Sequence, residues 1–222
     1  MPSELRDAHA ADHTRVPSLT VSLPAYNEAE NIEEMVTLVA DQIEPFTDDL
    51  EIVVVNDGSS DATGQIVRSV SEDDSRVRLI EHETNLGYGA AVRDGVWAAS
   101  KEFIFFTDSD RQFDLQELGR FIRRLDEADM VIGYRHPRSD PWYRVLFGHG
   151  WSWLVNVLFG YVARDVDCAF KLFRRAVIEQ VHVESTGATF SAEFLVRTKR
   201  AGFRIVEEPV THRPRPAGEA TG

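Results

Sequence analysis

Five short apolar runs, each closed by small or acidic residues and followed by a stretch with helical spacing, constrain this chain more than any other feature. The runs cover 19–23, 50–55, 77–80, 103–107 and 130–132. After the first run, Ile32, Met35, Val36 and Val39 recur at helical intervals. Comparable stretches lead from the capping residues at 56–61 to about Val70, from a glycine turn at 85–91 to Ala99, and from Leu115 to Leu125. Strands alternating with helices predict an α/β domain whose mostly parallel central sheet is flanked by helices and joined by right-handed crossovers. The 222 residues, 43% of them hydrophobic, suit one domain with a substantial core.

The fourth run stops abruptly at Asp108-Ser109-Asp110. Its carboxylates therefore fall at the carboxyl end of a strand, the edge of an open α/β sheet where ligands bind. Alternation along an extended backbone points Asp108, Asp110 and Gln112 to one side. Three oxygen donors suit a hard divalent cation, Mg²⁺ or Mn²⁺, whose shell is completed by water and a substrate's phosphates. On these residues alone a second reading stays open, because Asp favours turns and two surface carboxylates look the same in sequence. The turn Gly87-Tyr88-Gly89-Ala90-Ala91-Val92 matches a dinucleotide fingerprint only in part. A third glycine is missing and the turn follows the third strand rather than the first, which argues against a dehydrogenase.

Charge and cysteine usage exclude several classes. The net charge of -13 disfavours nucleic acid as a partner. Its distribution is uneven, with 11 Lys and Arg against 28 Asp and Glu up to Tyr134, and 13 against 9 from Arg135 onward. That asymmetry fits a metal site followed by a site for an anionic partner, and a salt-adapted host produces a similar acidic bias. Cys168 is the single cysteine, so there is no internal disulfide, and no clustered Cys or His offers a zinc site. It is expected to be a small buried packing residue. The first 16 residues carry no apolar signal segment, so a cytoplasmic location is expected.

Four loops then carry a signature. Pro24-Ala-Tyr-Asn-Glu28, Asn56-Asp-Gly-Ser-Ser-Asp61, Asn85-Leu-Gly87 and Asp108-Ser-Asp110 follow successive strands in this order. Together they closely resemble the family 2 glycosyltransferases of the Rossmann-like GT-A fold. The chain is most similar to the polyprenyl-phosphate sugar synthases, the dolichol-phosphate mannose synthase type. That match extends through Val131-Ile-Gly-Tyr-Arg135, Asp165, Phe170-Lys-Leu-Phe-Arg174, Phe190-Ser-Ala-Glu193 and Glu208-Pro-Val210, covering about 19–215. Two departures stand out: Tyr88 occupies a position where lysine or arginine is frequent, and Ala220 replaces an expected serine.

The resemblance implies that Pro24, Tyr26, Glu28 and Asp57 hold a GDP- or UDP-hexose, with Asp108 beside the sugar. Asp108, Asp110 and Gln112 hold the metal. Arg135 and Arg215 meet the acceptor's phosphate, since guanidinium pairs bidentately with phosphate oxygens; Arg144 joins them by location alone. Asp110, Arg135 and Glu193 form the expected catalytic set. Glu193 is either a base toward a hydroxyl acceptor or a residue that fixes the acceptor loop or an arginine such as Arg135, and the second reading is preferred. His212 is read as a solvated histidine in preference to a metal ligand.

The segment 145–163 has no Asp, Glu, Lys or Arg and approaches bilayer-spanning length. Its three glycines, its polar residues and the tryptophans near its start favour an interfacial helix at about 144–163, lying on a membrane surface. A helix buried in the protein or in a dimer contact is the alternative. The expected organisation is a disordered leader at 1–17, a nucleotide-sugar and metal half at 18–134, an acceptor half at 135–212 and a flexible tail at 213–222. The expected reaction is inverting transfer of mannose or glucose to a polyprenyl phosphate at the cytoplasmic membrane face. The runner-up keeps fold and donor but uses a hydroxyl acceptor, with Glu193 as base.

Overall fold

The computed structural model describes residues 14–136 and 142–218, with side chains in the second stretch described from Val145 onward. Seven strands alternate with helices: β1 (Leu19–Ala25), β2 (Leu50–Asn56), β3 (Val77–Glu81), β4 (Phe103–Thr107), β5 (Met130–Arg135), β6 (Phe170–Arg174) and β7 (Ile205–Val210). The helices are α1 (Ile32–Ile43), α2 (Thr63–Asp73), α3 (Tyr88–Ala98), α4 (Leu118–Arg124), α5 (Trp142–Phe159), α6 (Arg175–Gln180) and α7 (Phe190–Arg200). The expected stripe on α1 is the buried one, with Ile32, Met35, Val36, Val39 and Ile43 all turned inward.

The strands form one sheet in the order β3-β2-β1-β4-β6-β5-β7. β1, β2, β3 and β4 are parallel, and every residue of β1 and β4 is buried, as continuous apolar runs require. Helix α3 reaches β1 through Gly95, where a Cβ would come within 2.4 Å of the Ser22 hydroxyl oxygen. Close approach there carries the start of α3 to the sheet edge where Asp108 emerges.

The second half departs from simple alternation. β6 lies between β4 and β5 and runs antiparallel to both, pairing Lys171 with Phe106 and Leu172 with Val131. The reason is local: β5 extends to Arg135 at the carboxyl edge, and Asp165 grips Arg135 at that same edge. The next strand has only the downward direction open to it. Phe170, Phe105 and Phe121 lock this insertion, with ring centroids 4.6 Å and 4.7 Å from Phe170.

Both ends are more tightly held than the sequence suggests. Val16 is buried and its amide donates to the Phe46 carbonyl, so the last residues of the expected leader belong to the domain. Residues 213–218 of the expected tail fold back over the sheet edge: the Arg213 amide donates to the Gln112 carbonyl, and the Asn31 side chain donates to the Ala217 carbonyl. Residues 1–13 and 219–222 lie outside the described residues.

Candidate active site

The carboxyl ends of β1, β2, β4 and β5 open onto one cleft of about 430 Å³. It gathers Pro24, Tyr26, Glu28, Asp57, Asp108, Asp110, Gln112, Arg135 and Arg215 from the sequence reading, together with Tyr88 and His212. The strand order reverses between β1 and β4, so the cleft sits at the switch point of the sheet.

One wall is cross-linked backbone. Asn27, in the left-handed region at φ 54°, accepts from the Ser60 amide at 2.9 Å, and the Glu28 amide donates to the Thr63 hydroxyl at 2.8 Å. Asp57 is 2% exposed and accepts from the Leu86 and Gly87 amides at 2.8 and 2.9 Å, while its Oδ1 lies 2.7 Å from His82 Nδ1. The first two loops of the signature are thus clamped to each other, and the second to the third.

The Asp108-Asp110-Gln112 turn reaches the cleft by an unexpected route. Arg111 has φ 61°, so the backbone is not extended there and simple alternation does not apply. All three residues nevertheless line the same cleft. Burial and then repulsion from Asp110 push the Asp108 carboxyl above the ordinary carboxylate range, although the Tyr88 hydroxyl donates to it at 2.8 Å. Burial, with the nearby Glu28 charge adding, raises Asp110 as well, against hydrogen bonding from Gln112 and the charge of Arg215.

A divalent cation fits this pair chemically. Two carboxylates held above their usual range by burial and repulsion are stabilised in the ionised form by a nearby cation. Among the described residues no three Asp, Glu, His or Cys side chains form a self-contained metal cage. Two carboxylates and the Gln112 amide leave positions for water and a diphosphate, the arrangement hard cations adopt at phosphate sites. Gln112 donates its amide nitrogen to the Arg213 carbonyl at 2.8 Å, which ties the turn to the returning C-terminal segment.

The opposite wall is built on arginine. Arg135 Nε and Nη2 donate to the two Asp165 oxygens at 2.7 and 2.8 Å. Beneath, the fully buried Lys171 donates to the Val166 and Cys168 carbonyls and lies 5.7 Å from the Phe106 ring centroid. Arg215 donates to both Glu28 oxygens at 2.6 Å, and its Nη1 is 3.8 Å from Asp110. Glu28 and Arg215, given separate roles by the sequence reading, are therefore one ion pair across the cleft. Arg144 falls on α5, but its side chain lies outside the described residues.

The family model described as glycosyl transferase family 2 matches residues 20–181. The chain belongs to glycosyl transferase family 2. Among curated relatives of this family 2 chain, glycosyltransferase AglD of Haloferax volcanii is 33% identical over 96% of the chain, which spans 36% of that relative's length. The polyprenol monophosphomannose synthase of Mycolicibacterium smegmatis is 29% identical over 89% of the chain and 78% of the relative. The mannosyltransferase PcManGT from Pyrobaculum calidifontis, solved with GDP-Man and Mn²⁺, superposes with a TM-score of 0.67 at 24% identity, covering 93% of this chain and 59% of that one. Glucosyl-3-phosphoglycerate synthase from Mycobacterium tuberculosis gives 0.68 at 21% identity, over 90% and 73%. These structures establish the GT-A fold for the family 2 chain.

Two expectations for this family 2 glycosyltransferase need correction. Glu193 is absent from the cleft: it accepts from the Glu184 and Ser185 amides at 3.2 and 2.8 Å and pairs with Arg197. Burial raises its pKa, but the hydrogen bonds from Ser185 and Glu184 outweigh burial and hold it below the usual range. It accepts from the 184–185 segment, and the residue that aims Arg135 is Asp165. His212 is 5% exposed and packs edge-on to Phe113 at 5.3 Å, so it is not solvated. Segment 145–163 is neither spanning nor wholly buried. Among the described residues no helix is long and apolar enough to cross a membrane, and α5 turns Phe147, Trp153 and Leu158 outward at 73%, 66% and 63% exposure. Its inner side is fixed by buried Ser152 and Val155 and by Asn156, which closes on Val162 and Ala163.

Lys171 was legible in part, because a lone lysine inside the apolar run 169–173 signals a buried, partnered cation. Asp165 lay within the matched segment, but nothing local announced its partner. His82 carried no signal beyond its place at a strand end.

Proposed function

We propose that this family 2 glycosyltransferase moves a hexose, mannose or glucose, from a GDP- or UDP-sugar onto the phosphate of a polyprenyl lipid, with inversion and with Mg²⁺ or Mn²⁺. One observation carries the reading: the Asp108 and Asp110 carboxylates share a single cleft with Arg135, a guanidinium aimed by Asp165. A donor diphosphate suits the first and an anionic acceptor the second.

In this reading Asp57 and the backbone beside Tyr26 hold the nucleotide, Asp108 and Asp110 hold the metal with Gln112, and Arg135 with Arg215 receives the acceptor's phosphate. The bound cation supplies charge stabilisation to the departing nucleoside diphosphate. An acceptor phosphate oxygen attacks the anomeric carbon as the sugar–diphosphate bond breaks. A phosphate monoester with a second pKa near about 6 is already ionised at neutral pH, so no general base is required. The position of Glu193 outside the cleft supports this over the hydroxyl-acceptor alternative. Glu193→Gln is expected to keep kcat within about tenfold of wild type; a fall of roughly 10²- to 10⁴-fold, typical of a lost acid-base group, restores the hydroxyl reading.

The deciding assay presents GDP- and UDP-hexoses, with Mg²⁺ or Mn²⁺ and a chelator control, to a short polyprenyl phosphate and to free sugars. Label on the lipid phosphate supports the proposal. Label only on sugar hydroxyls removes it.

A lipid acceptor places the work at a membrane surface, and the exposed apolar side of α5 is the proposed contact. Phe147→Ser with Trp153→Ser is expected to lower liposome partitioning at least about tenfold, since each buried aromatic is worth about 1.5–3 kcal/mol. Unchanged flotation rules out α5 as the contact.

A further inference from the structure

His82 has no part in the mechanism above, yet it sits where the donor wall is joined. The residue follows β3, and its side chain is 7% exposed. Nδ1 lies 2.7 Å from Asp57 Oδ1 and Nε2 lies 3.1 Å from Asp94 Oδ2, on α3. Ionised carboxylates only accept hydrogen bonds, and a neutral imidazole has a single N–H to give. A proton on Nδ1 serves Asp57, the carboxylate of the two that lines the cleft. Asp94 is held in turn by Arg93 Nε at 2.9 Å.

The count at Asp57 shows what this does. A carboxylate offers about four acceptor sites, and the Leu86 amide, the Gly87 amide and His82 take three of them. One site is left on a carboxylate that lines the cleft. Two of the three bonds come from the loop between β3 and α3, and the third comes from a ring tethered to α3 itself. The direction of the remaining lone pair is therefore set by His82 as much as by the backbone.

We propose that His82 is a positioning residue for the donor: set between Asp57 and Asp94 and donating from Nδ1 to Asp57, it turns the open lone pair of Asp57 toward an N–H of the nucleotide base and fixes the 85–87 turn beside it. The proposal rests on the reading that Asp57 contacts the nucleotide. Its consequence is a role in binding rather than turnover, so removal of the ring raises donor KM and leaves kcat near its original value.

The test titrates GDP and UDP with Mg²⁺ by calorimetry into wild type, His82→Phe, His82→Asn and Asp57→Ala, with donor kcat and KM measured in parallel. His82→Phe is expected to weaken the preferred nucleotide about tenfold, the scale of one hydrogen bond to a charged group, with kcat within about twofold. His82→Asn recovers part of the loss, because its amide still donates to Asp57. In wild type, ¹⁵N NMR of the ring is expected to show an N–H on Nδ1, the nitrogen that faces Asp57. If Asp57→Ala loses the nucleotide while a folded His82→Phe binds within about twofold of wild type, the positioning role is wrong. A ring with no proton on Nδ1 overturns it too, even where His82→Phe fails to fold. Unchanged binding in Asp57→Ala instead removes the donor reading on which it stands.

Discussion

Asp110→Asn is expected to lower sugar transfer roughly 10²- to 10³-fold, the scale of losing one preorganised electrostatic contact in a reaction centre. Chelation of free metal should silence the wild type to a similar degree. The structure adds a second, opposite expectation. Burial and the neighbouring Glu28 charge raise the Asp110 carboxyl, so its ionised form opposes folding in the metal-free protein. Removing the charge while keeping the shape relieves that opposition. The metal-free variant should therefore melt no lower than wild type, and its Mn²⁺ affinity, read by calorimetry, should fall. Undiminished transfer to lipid by the Asn variant without metal would remove the cation from the mechanism. A lower melting temperature would show that Asp110 is structural, held by its Gln112 and Arg215 contacts.

Asp165→Ala is expected to destabilise the protein by up to about 3–5 kcal/mol, because a guanidinium that is only 14% exposed loses its bidentate partner. Asp165 is 6% exposed, and three hydrogen bonds run to it from Arg135, one from the backbone amide and two from the side chain. Urea denaturation reads the loss. Adding Arg135→Met to Asp165→Ala should recover much of it, since removing both charges leaves none stranded. The functional readout separates the walls of the cleft. Asp165→Asn keeps the shape of the side chain, but its amide offers only one carbonyl oxygen to the guanidinium fork. Its acceptor KM should rise while nucleotide binding on the far side stays within about twofold, as expected for independent sites. Equal losses on both sides would mean that Asp165 holds the cleft as a whole rather than aiming Arg135.

These two positions differ in how visible they were beforehand. Asp110 was found because a strand's apolar run and the acidic turn that ends it are contiguous, and because the four loops fall in a fixed order after four strands. Asp165 lies 30 residues beyond its partner, and Arg215 lies 187 residues from Glu28. No local spacing reports such pairs. The alternation reading of 108–112 reached the right cleft although Arg111 breaks the extended backbone on which it relied. The separation of Glu193 from the cleft was not legible, because the direction of α7 is set by packing of Phe190 and Phe194 against Trp97 and Phe173.

From its residues alone the chain specified strands β1 to β5, the helices between them and the loops that line the donor wall, because burial periodicity and turn chemistry act over a few neighbouring residues. The downward course of β6, the Arg135–Asp165 and Glu28–Arg215 pairs, the His82 bridge and the outward face of α5 were decided only when the sheet closed. Each depends on which distant backbone a side chain meets after the chain has folded, and that distance is a property of the assembled sheet.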